Sequence, residues 1–392
     1  MDRRNYLLSN LAACKTIAEL RRSAFYAECA AELDALLGTP EIIASSSARP
    51  RIRSFLRIAQ WNIEKGKQLV PILDVLQNET ALSLADVILL NEADHGMARS
   101  GNVHVARKIA EQLKMHMAFA PAHFELTLGT GDDLLAAGEN RQGLQGNAIL
   151  SSYPILEARI SRLPVCFEAY EFHEKRYGCR NCLWARLSVH GNSLWVGAAH
   201  LEVRETPQCR ARQIRHLLAE APADPADPCL LGGDLNASGF RRGTWWRTLS
   251  SVARLLAGRP ESVKQRLLRP ERGAEPLFML ARRSGFSWDG LNACQATASA
   301  QIDGFEDAAL MPQWMTSWLH RRLAAFGGYL ELRLDWLLGR NVEPLGSAEI
   351  REIGSGQPSR GPGRVETIRK GAQRLSDHSP IIADIRMPGR SP

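Results

Sequence analysis

Eight side chains in this sequence share a chemistry and a kind of position. Asn62, Glu92, His200, Asp234, Asn236, Asp335, Asp377 and His378 each fall within or at the end of an apolar run. The set is rich in carboxylates and amides, holds two imidazoles and contains no thiol. Hard oxygen donors of this kind suit Mg²⁺ or Mn²⁺ better than zinc. An imidazole beside a carboxylate, as in Ser376-Asp377-His378-Ser379-Pro380, supplies an oriented base. Asparagine amides add neutral donors for a phosphate. Each residue alone has an ordinary reading: a cap followed by a surface histidine, a strand-end ion pair at Asp335, a satisfied core histidine at His200. Recurrence at the ends of successive runs is what points to one shared site.

These side chains converge only if the runs that carry them lie side by side. Residues 55–61 read as a strand ending at Asn62, and a helix with Leu69, Ile72, Leu73 and Leu76 on one face follows. Asp86-Val87-Ile88-Leu89-Leu90 reads as a strand, apolar without a break from Val87, the pattern of a strand covered on both faces, and runs into Asn91-Glu92. A second helix is expected over about 101–117, and the polar, Gly-rich 127–145 reads as a surface loop. Residues 147–150 form the next strand. Residues 182–189 and 193–199 read as a hairpin turning at His190-Gly191-Asn192 and delivering His200. After a helix with Ile214, Leu217 and Leu218, residues 229–231 lead into Gly232-Gly233-Asp234-Leu235-Asn236. A long insertion precedes the strand at 332–338, which contains Asp335, and a Gly/Ser/Pro loop at 354–363 precedes the last strand at 381–386.

The bulk properties agree with a globular chain. The 392 residues are 45% hydrophobic and 23% charged, ample for a large core. No apolar run approaches about 18 residues, so no transmembrane segment is expected. Residues 1–50 read as a separate helical extension and linker, with Leu11, Ile17, Leu20, Phe25, Cys29, Leu33 and Leu36 at helical spacing; the main domain is expected over 51–390. Eight scattered cysteines without an export signal read as reduced, cytoplasmic thiols. The close pair Cys179 and Cys182 lacks the further ligands a zinc site needs.

Taken in order, Gln60-Trp61-Asn62-Ile63, Leu90-Asn91-Glu92, Gly146-Asn147-Ala148-Ile149-Leu150-Ser151, Ala199-His200-Leu201, Gly233-Asp234-Leu235-Asn236, Leu334-Asp335-Trp336 and Ser376-Asp377-His378-Ser379-Pro380 resemble the endonuclease/exonuclease/phosphatase superfamily over about residues 55–386. The resemblance implies a four-layer α/β sandwich of two packed mixed β-sheets flanked by helices. It implies a metal-dependent phosphoester hydrolase using Mg²⁺ or Mn²⁺. Glu92 would be the principal metal ligand, with Asn62 beside it and Asp377 at the metal side. His378 would be the general base, its tautomer held by Asp335. Asp234 and Asn236 would position the water and the scissile phosphate, Asn147 would contribute to phosphate binding, and His200 would stabilise the phosphoryl oxygens or protonate the leaving group. The histidine at position 200 resembles the deoxyribonuclease, sphingomyelinase and phosphatase branches more than the abasic-site branch.

The site residues do not choose a substrate; the surface does. The whole chain carries a net charge of +7, and residues 241–283 alone hold eleven Arg or Lys against three Glu. Trp245, Trp246 and Phe278 interleave with them, a mixture suited to stacking on bases and neutralising phosphates. This basic insertion, about 241–275 at its core, makes nucleic acid the leading substrate class. The alternatives are a lipid head group or small phosphorylated metabolite, and a non-catalytic binding module on the same scaffold. A solvated helical face accounts for the same charge run without any ligand.

Overall fold

Val87, Ile88, Leu89 and Leu90 are equally buried yet face opposite ways: Val87 and Leu89 join one core cluster, Ile88 and Leu90 another. A strand reads as an unbroken apolar run when both its faces are covered, and here a second sheet covers one face and helices the other. The computed structural model describes residues 2–222, 224–242, 244–300, 312–346, 362–366 and 375–387. All but the last two residues of the 354–363 loop lie outside the described residues, as does the Trp245 side chain.

The strands in chain order are β1 (Glu41–Ile43), β2 (Leu56–Asn62), β3 (Val87–His95), β4 (His116–Glu125), β5 (Leu144–Ser151), β6 (Ile155–Arg162), β7 (Arg176–Gly178) and β8 (Asn181–Val189). There follow β9 (Asn192–His200), β10 (Cys229–Asp234), β11 (Ala298–Ala300), β12 (Leu330–Leu332), β13 (Asp335–Arg340), β14 (Glu343–Pro344), β15 (Gly363–Arg364) and β16 (Ile381–Arg386). One sheet runs β1-β4-β5-β3-β2-β16-β14, with β7 on β4 and β15 on β16; the other runs β13-β10-β9-β8-β6. Both are mixed: β2 is parallel to β3 and β10 to β9, the other pairings being antiparallel.

Between the sheets, Leu56, Ile58 and Ile149 meet Leu183, Val196 and Leu337. The outer face of the first sheet packs on the helices Leu69–Asn78 and Val105–Leu113, and that of the second on Pro207–Ala219 and Leu277–Arg283. This is the four-layer sandwich. The helix expected over 101–117 is shorter, because Lys114 turns left-handed (φ 56°) and starts β4. The strand expected at 332–338 is split: β12 pairs with β11, and Thr297 Oγ1 accepts the Leu334 and Asp335 N–H groups before β13 begins.

The first fifty residues do more than form helices. Arg3–Ala13, Ile17–Arg22 and Ala24–Gly38 bury Leu7, Leu11, Leu20 and Leu33 against Phe124, Leu144, Tyr170 and Tyr177, and β1 extends the first sheet by pairing with β4. The insertion after β10 builds its own small core, where Val252, Leu255, Val263 and Leu319 meet Phe240 and Leu332. Phe278 takes no part in a surface platform. It is fully buried, with its ring 4.5 Å from Trp336. Against the expectation of uniformly reduced thiols, Cys166 and Cys209 form a disulfide. Among the described residues no helix is long and apolar enough to cross a membrane.

One buried ion pair fixes the first sheet where β16 joins β2. Arg57 Nε and Nη2 donate to Asp384 Oδ1 and Oδ2 at 2.8 and 2.9 Å, directly across the strand pair. Both side chains are essentially inaccessible. Removing one partner strands a buried charge, which costs about 3–5 kcal/mol. Asp384→Ala is therefore expected to lower the urea midpoint by a shift of that size; a loss under about 1 kcal/mol would refute the assignment.

Candidate active site

The predicted residues meet at one end of the sandwich because of strand direction. Asn62 and Glu92 end or interrupt the parallel pair β2 and β3, while His200 and Asp234 end the parallel pair β9 and β10. Asp335 opens β13, directly opposite Asp234, and His378 precedes β16, which runs back along β2. Two backbone details sharpen the convergence. Glu92 sits in a bulge of β3 with φ 57°, and Asn236 has φ 49°. Non-glycine residues rarely adopt that region, and such outliers gather at functional sites. Gly233 (φ 150°) allows β10 to lie tight on β9, since a Cβ there would fall 1.8 Å from the Ala199 carbonyl oxygen. Any side chain at 233 would push Asp234 away from His200.

The side chains form one bonded network. His378 Nδ1 lies 2.6 Å from Asp335 Oδ2, leaving Nε2 facing Asp234 Oδ2 at 3.8 Å. Asp234 Oδ2 also accepts from Asn62 Nδ2 (3.1 Å) and lies 3.4 Å from His200 Nε2. Asn62 Nδ2 reaches Glu92 Oε1 at 3.3 Å as well, so one amide links the two carboxylates. Asn236 donates its N–H to Asp234 Oδ1 (3.0 Å) and its side-chain amide to the Leu201 carbonyl (3.0 Å). Asn147 is engaged at both ends, accepting from Asn91 and donating to Asn181 at 2.8 and 2.7 Å. These bonds brace the floor of the cleft. Asp377 is half-buried, with Oδ1 3.5 Å from Ser376 Oγ.

Sequence reasoning passed over a supporting layer. Gln60 Nε2 donates to Asp335 Oδ1 (3.0 Å) and Asn91 Oδ1 (3.1 Å), and Asn91 Oδ1 also accepts the Asp234 N–H (2.8 Å). Ser376 Oγ donates to the Asn62 carbonyl and accepts the His378 N–H, while Trp61 Nε1 holds the His378 carbonyl. The Thr297 carbonyl takes the Ser379 N–H at 2.7 Å, so Thr297 spans the Asp335 and His378 segments. Arg180 was also missed; its Nη1 lies 2.8 Å from His200 Nδ1. Polar Gln60 and Asn91 inside otherwise apolar strands were the available signal, since buried amides must be bonded. Nothing local in sequence marks Thr297 or Arg180.

The charges sort the site. Burial opposes the His378 cation, but the Asp335 and Asp234 carboxylates outweigh it and raise the ring to about 9. Burial, with Asp335 nearby, raises Asp234 to about 6 against the pull of His378. Burial and the Arg180 guanidinium push His200 well below its usual value. Burial would raise Glu92, yet Lys65, Arg180, Arg176 and His378 hold it below the normal carboxylate range. At neutral pH the protein's own charges thus leave Glu92 ionised, His200 neutral with its Nε2 facing the carboxylates, and His378 protonated; a divalent cation beside Glu92 would lower His378 and let its ring accept a proton.

The donor set fits a hard divalent cation at Glu92. Its carboxylate is kept ionised, is part-exposed (22%) and stands beside the Asn62 amide. Asp234, Asp335 and His378 also bring ligand atoms within 4.8 Å of one another. There Asp335 and His378 already engage each other at 2.6 Å, which suits proton handling better than an ion cage.

Residues 59–378 match the model of the Endonuclease/Exonuclease/phosphatase family. No curated protein matches the chain. Among solved structures, an endonuclease/exonuclease/phosphatase from Beutenbergia cavernae DSM 12333 is 17% identical, covering 86% of this chain and 72% of its own, with TM-score 0.47. TDP2 of D. rerio, solved with a single-strand DNA product, is 18% identical over 85% of this chain and 100% of its own, with TM-score 0.45. The human nocturnin catalytic domain, solved with sulfate, is 14% identical over 88% and 96%, with TM-score 0.43.

Proposed function

Since the chain belongs to the endonuclease/exonuclease/phosphatase family and is a phosphoester hydrolase, we propose that it is a metal-dependent phosphodiesterase whose substrate is nucleic acid. The observation that carries the substrate class is charge beside the site. The basic segment leaves the strand end at Asn236, and Arg242 donates its N–H to the Glu205 carbonyl, in the loop that follows His200. Arg241, Arg247, Arg254 and Arg266 of this segment are exposed, as is Trp246 (61%). A surface with this excess of positive charge concentrates polyanions.

In this reading Glu92 is the principal ligand of Mg²⁺ or Mn²⁺, with Asn62 beside it and Asp377 on the same side. The bound ion would polarise a phosphoryl oxygen. The attacking water, positioned by Asp234, would give its proton to His378 Nε2, which is free to accept once the ion's charge has lowered the ring. Asp335 fixes the ring of His378, and Asn236 holds Asp234 through its own N–H. The His200 Nε2–H donates to a phosphoryl oxygen, and such preorganised donors carry much of the rate enhancement of many enzymes.

A panel of plasmid, single-stranded DNA, RNA, sphingomyelin, inositol phosphates and bis(p-nitrophenyl) phosphate tests the class. Nucleic-acid cleavage is expected, with log KM rising against log salt by about 0.7–0.9 per phosphate contacted. Replacing Arg247, Arg254 and Arg266 with Ala should flatten that slope by up to about three contacts. A salt-insensitive wild type, or turnover confined to sphingomyelin or inositol phosphates, would shift the substrate to a lipid head group or small metabolite.

A further inference from the structure

A small, open hollow lies beside the catalytic residues. It shares His123 and Arg180 with the smaller hollow lined by Glu92 and His200, so the two adjoin. Arg176, Arg180 and Arg204 line it together with Phe167 and Phe172. The Arg204 guanidinium lies over the Phe172 ring at 4.2 Å, which fixes its plane. Two carboxylates also line the cavity, and both are engaged: Glu174 pairs with Lys65, Arg99 and Arg176, and Glu202 Oε1 accepts the Arg204 N–H. Burial, with Arg242 and Arg176 close by, lowers Arg204 to about 10, as expected where cations are crowded. His123 is buried, and its Nδ1 has no hydrogen-bond partner among the described residues. Buried polar atoms are ordinarily bonded, so this one points to a ligand that completes it. The Cys166–Cys209 disulfide joins the wall of the cavity to the helix Pro207–Ala219.

We propose that this cavity is a second anion subsite, with Arg204 as its specificity-determining residue. It binds a phosphate that neighbours the scissile one, and so selects substrates carrying at least two phosphates. The proposal rests on the phosphodiesterase reading and adds to it a requirement on the substrate. It also gives Arg180 two neighbours, His200 on the catalytic side and the second phosphate on the other.

The test compares the dinucleotides TpT, pTpT and TpTp at one scissile bond, with bis(p-nitrophenyl) phosphate as the single-phosphate reference. Charge-assisted bonds to a planar guanidinium are strong and oriented. One of the phosphorylated dinucleotides should therefore exceed TpT in kcat/KM by about tenfold or more, mainly through KM. Arg204→Ala should remove most of that ratio, Arg204→Lys should restore part of it, and Phe172→Leu should weaken it by loosening the guanidinium. Binding of inorganic pyrophosphate, measured by calorimetry, should fall in Arg204→Ala by a similar factor. A wild type indifferent to the extra phosphate, or an Arg204→Ala variant that keeps the full ratio, overturns the subsite. Hydrolysis of bis(p-nitrophenyl) phosphate without any dinucleotide cleavage refutes the nucleic-acid reading instead. The pyrophosphate isotherms then decide the subsite by themselves: weaker binding in Arg204→Ala supports it, and equal binding overturns it.

Discussion

His378→Ala is expected to lower kcat on a phosphodiester by about 10²–10⁴-fold, the range for losing a positioned proton-transfer group. The ring sits between two carboxylates with different tasks. Asp335 Oδ2 takes Nδ1 at 2.6 Å, and Asp234 Oδ2 faces Nε2 at 3.8 Å. Asp335→Asn should hurt nearly as much for a different reason. The new amide keeps its oxygen on Gln60, which now donates to Asp335 Oδ1, and turns its NH₂ toward Nδ1. The neutral ring must then carry its proton on Nε2, the wrong tautomer for accepting one. The two variants separate chemistry from folding. His378→Ala leaves the Asp335 carboxylate buried without its ring and should also lose stability, whereas Asp335→Asn keeps a bonded pair and should melt close to wild type. Full activity in His378→Ala, measured on protein shown to be folded, would remove the ring from the mechanism.

The strands that deliver the site were legible because each is buried on both faces. Ile88 and Leu90 face the helices while Val87 and Leu89 face the second sheet, so the run of apolar letters stops abruptly where a polar side chain reaches the cleft. The same logic made β4 illegible. His116–Glu125 is rich in alanine and histidine and contains Pro121, so it lacks the β-branched signature, and the helical reading of 101–117 ran into it. In the centre of a sheet, pairing on both sides overrides such propensity. β1 was hidden for another reason. Three residues carry no periodicity, and their strand identity comes only from pairing with β4. Phe278 shows the converse error: a sequence neighbour of eleven basic residues looked like a stacking platform, yet it points inward to Trp336. Within the site, letters at strand ends were readable, while Thr297 and Arg180 act through contacts with residues distant in sequence.

Glu92→Gln should raise the Mg²⁺ or Mn²⁺ concentration needed for half-maximal activity by at least about tenfold, and exhaustive chelation should silence the wild type. The left-handed backbone at Glu92 and the bulge in β3 turn this one carboxylate out of the ladder toward Asn62 and His200. Lys65, Arg180, Arg176 and His378 keep it ionised despite its partial burial, so it presents charge to a cation at neutral pH. Gln retains the shape and the bond from Asn62 Nδ2 but removes that charge, and hard cations depend on it. The measurement need not rely on turnover alone. Anything that binds the folded state raises its melting temperature with concentration, so Mn²⁺ titrated against wild type should give a saturating shift that Glu92→Gln moves to higher metal. Asp335→Asn, which reaches the carboxylate of Glu92 through His378, Asp234 and Asn62, should leave the Mn²⁺ midpoint near that of wild type even as it loses catalysis. Identical Mn²⁺ titrations for Glu92→Gln and wild type would place the ion elsewhere, and activity that survives chelation or returns only with zinc would discard the oxygen-ligand reading altogether.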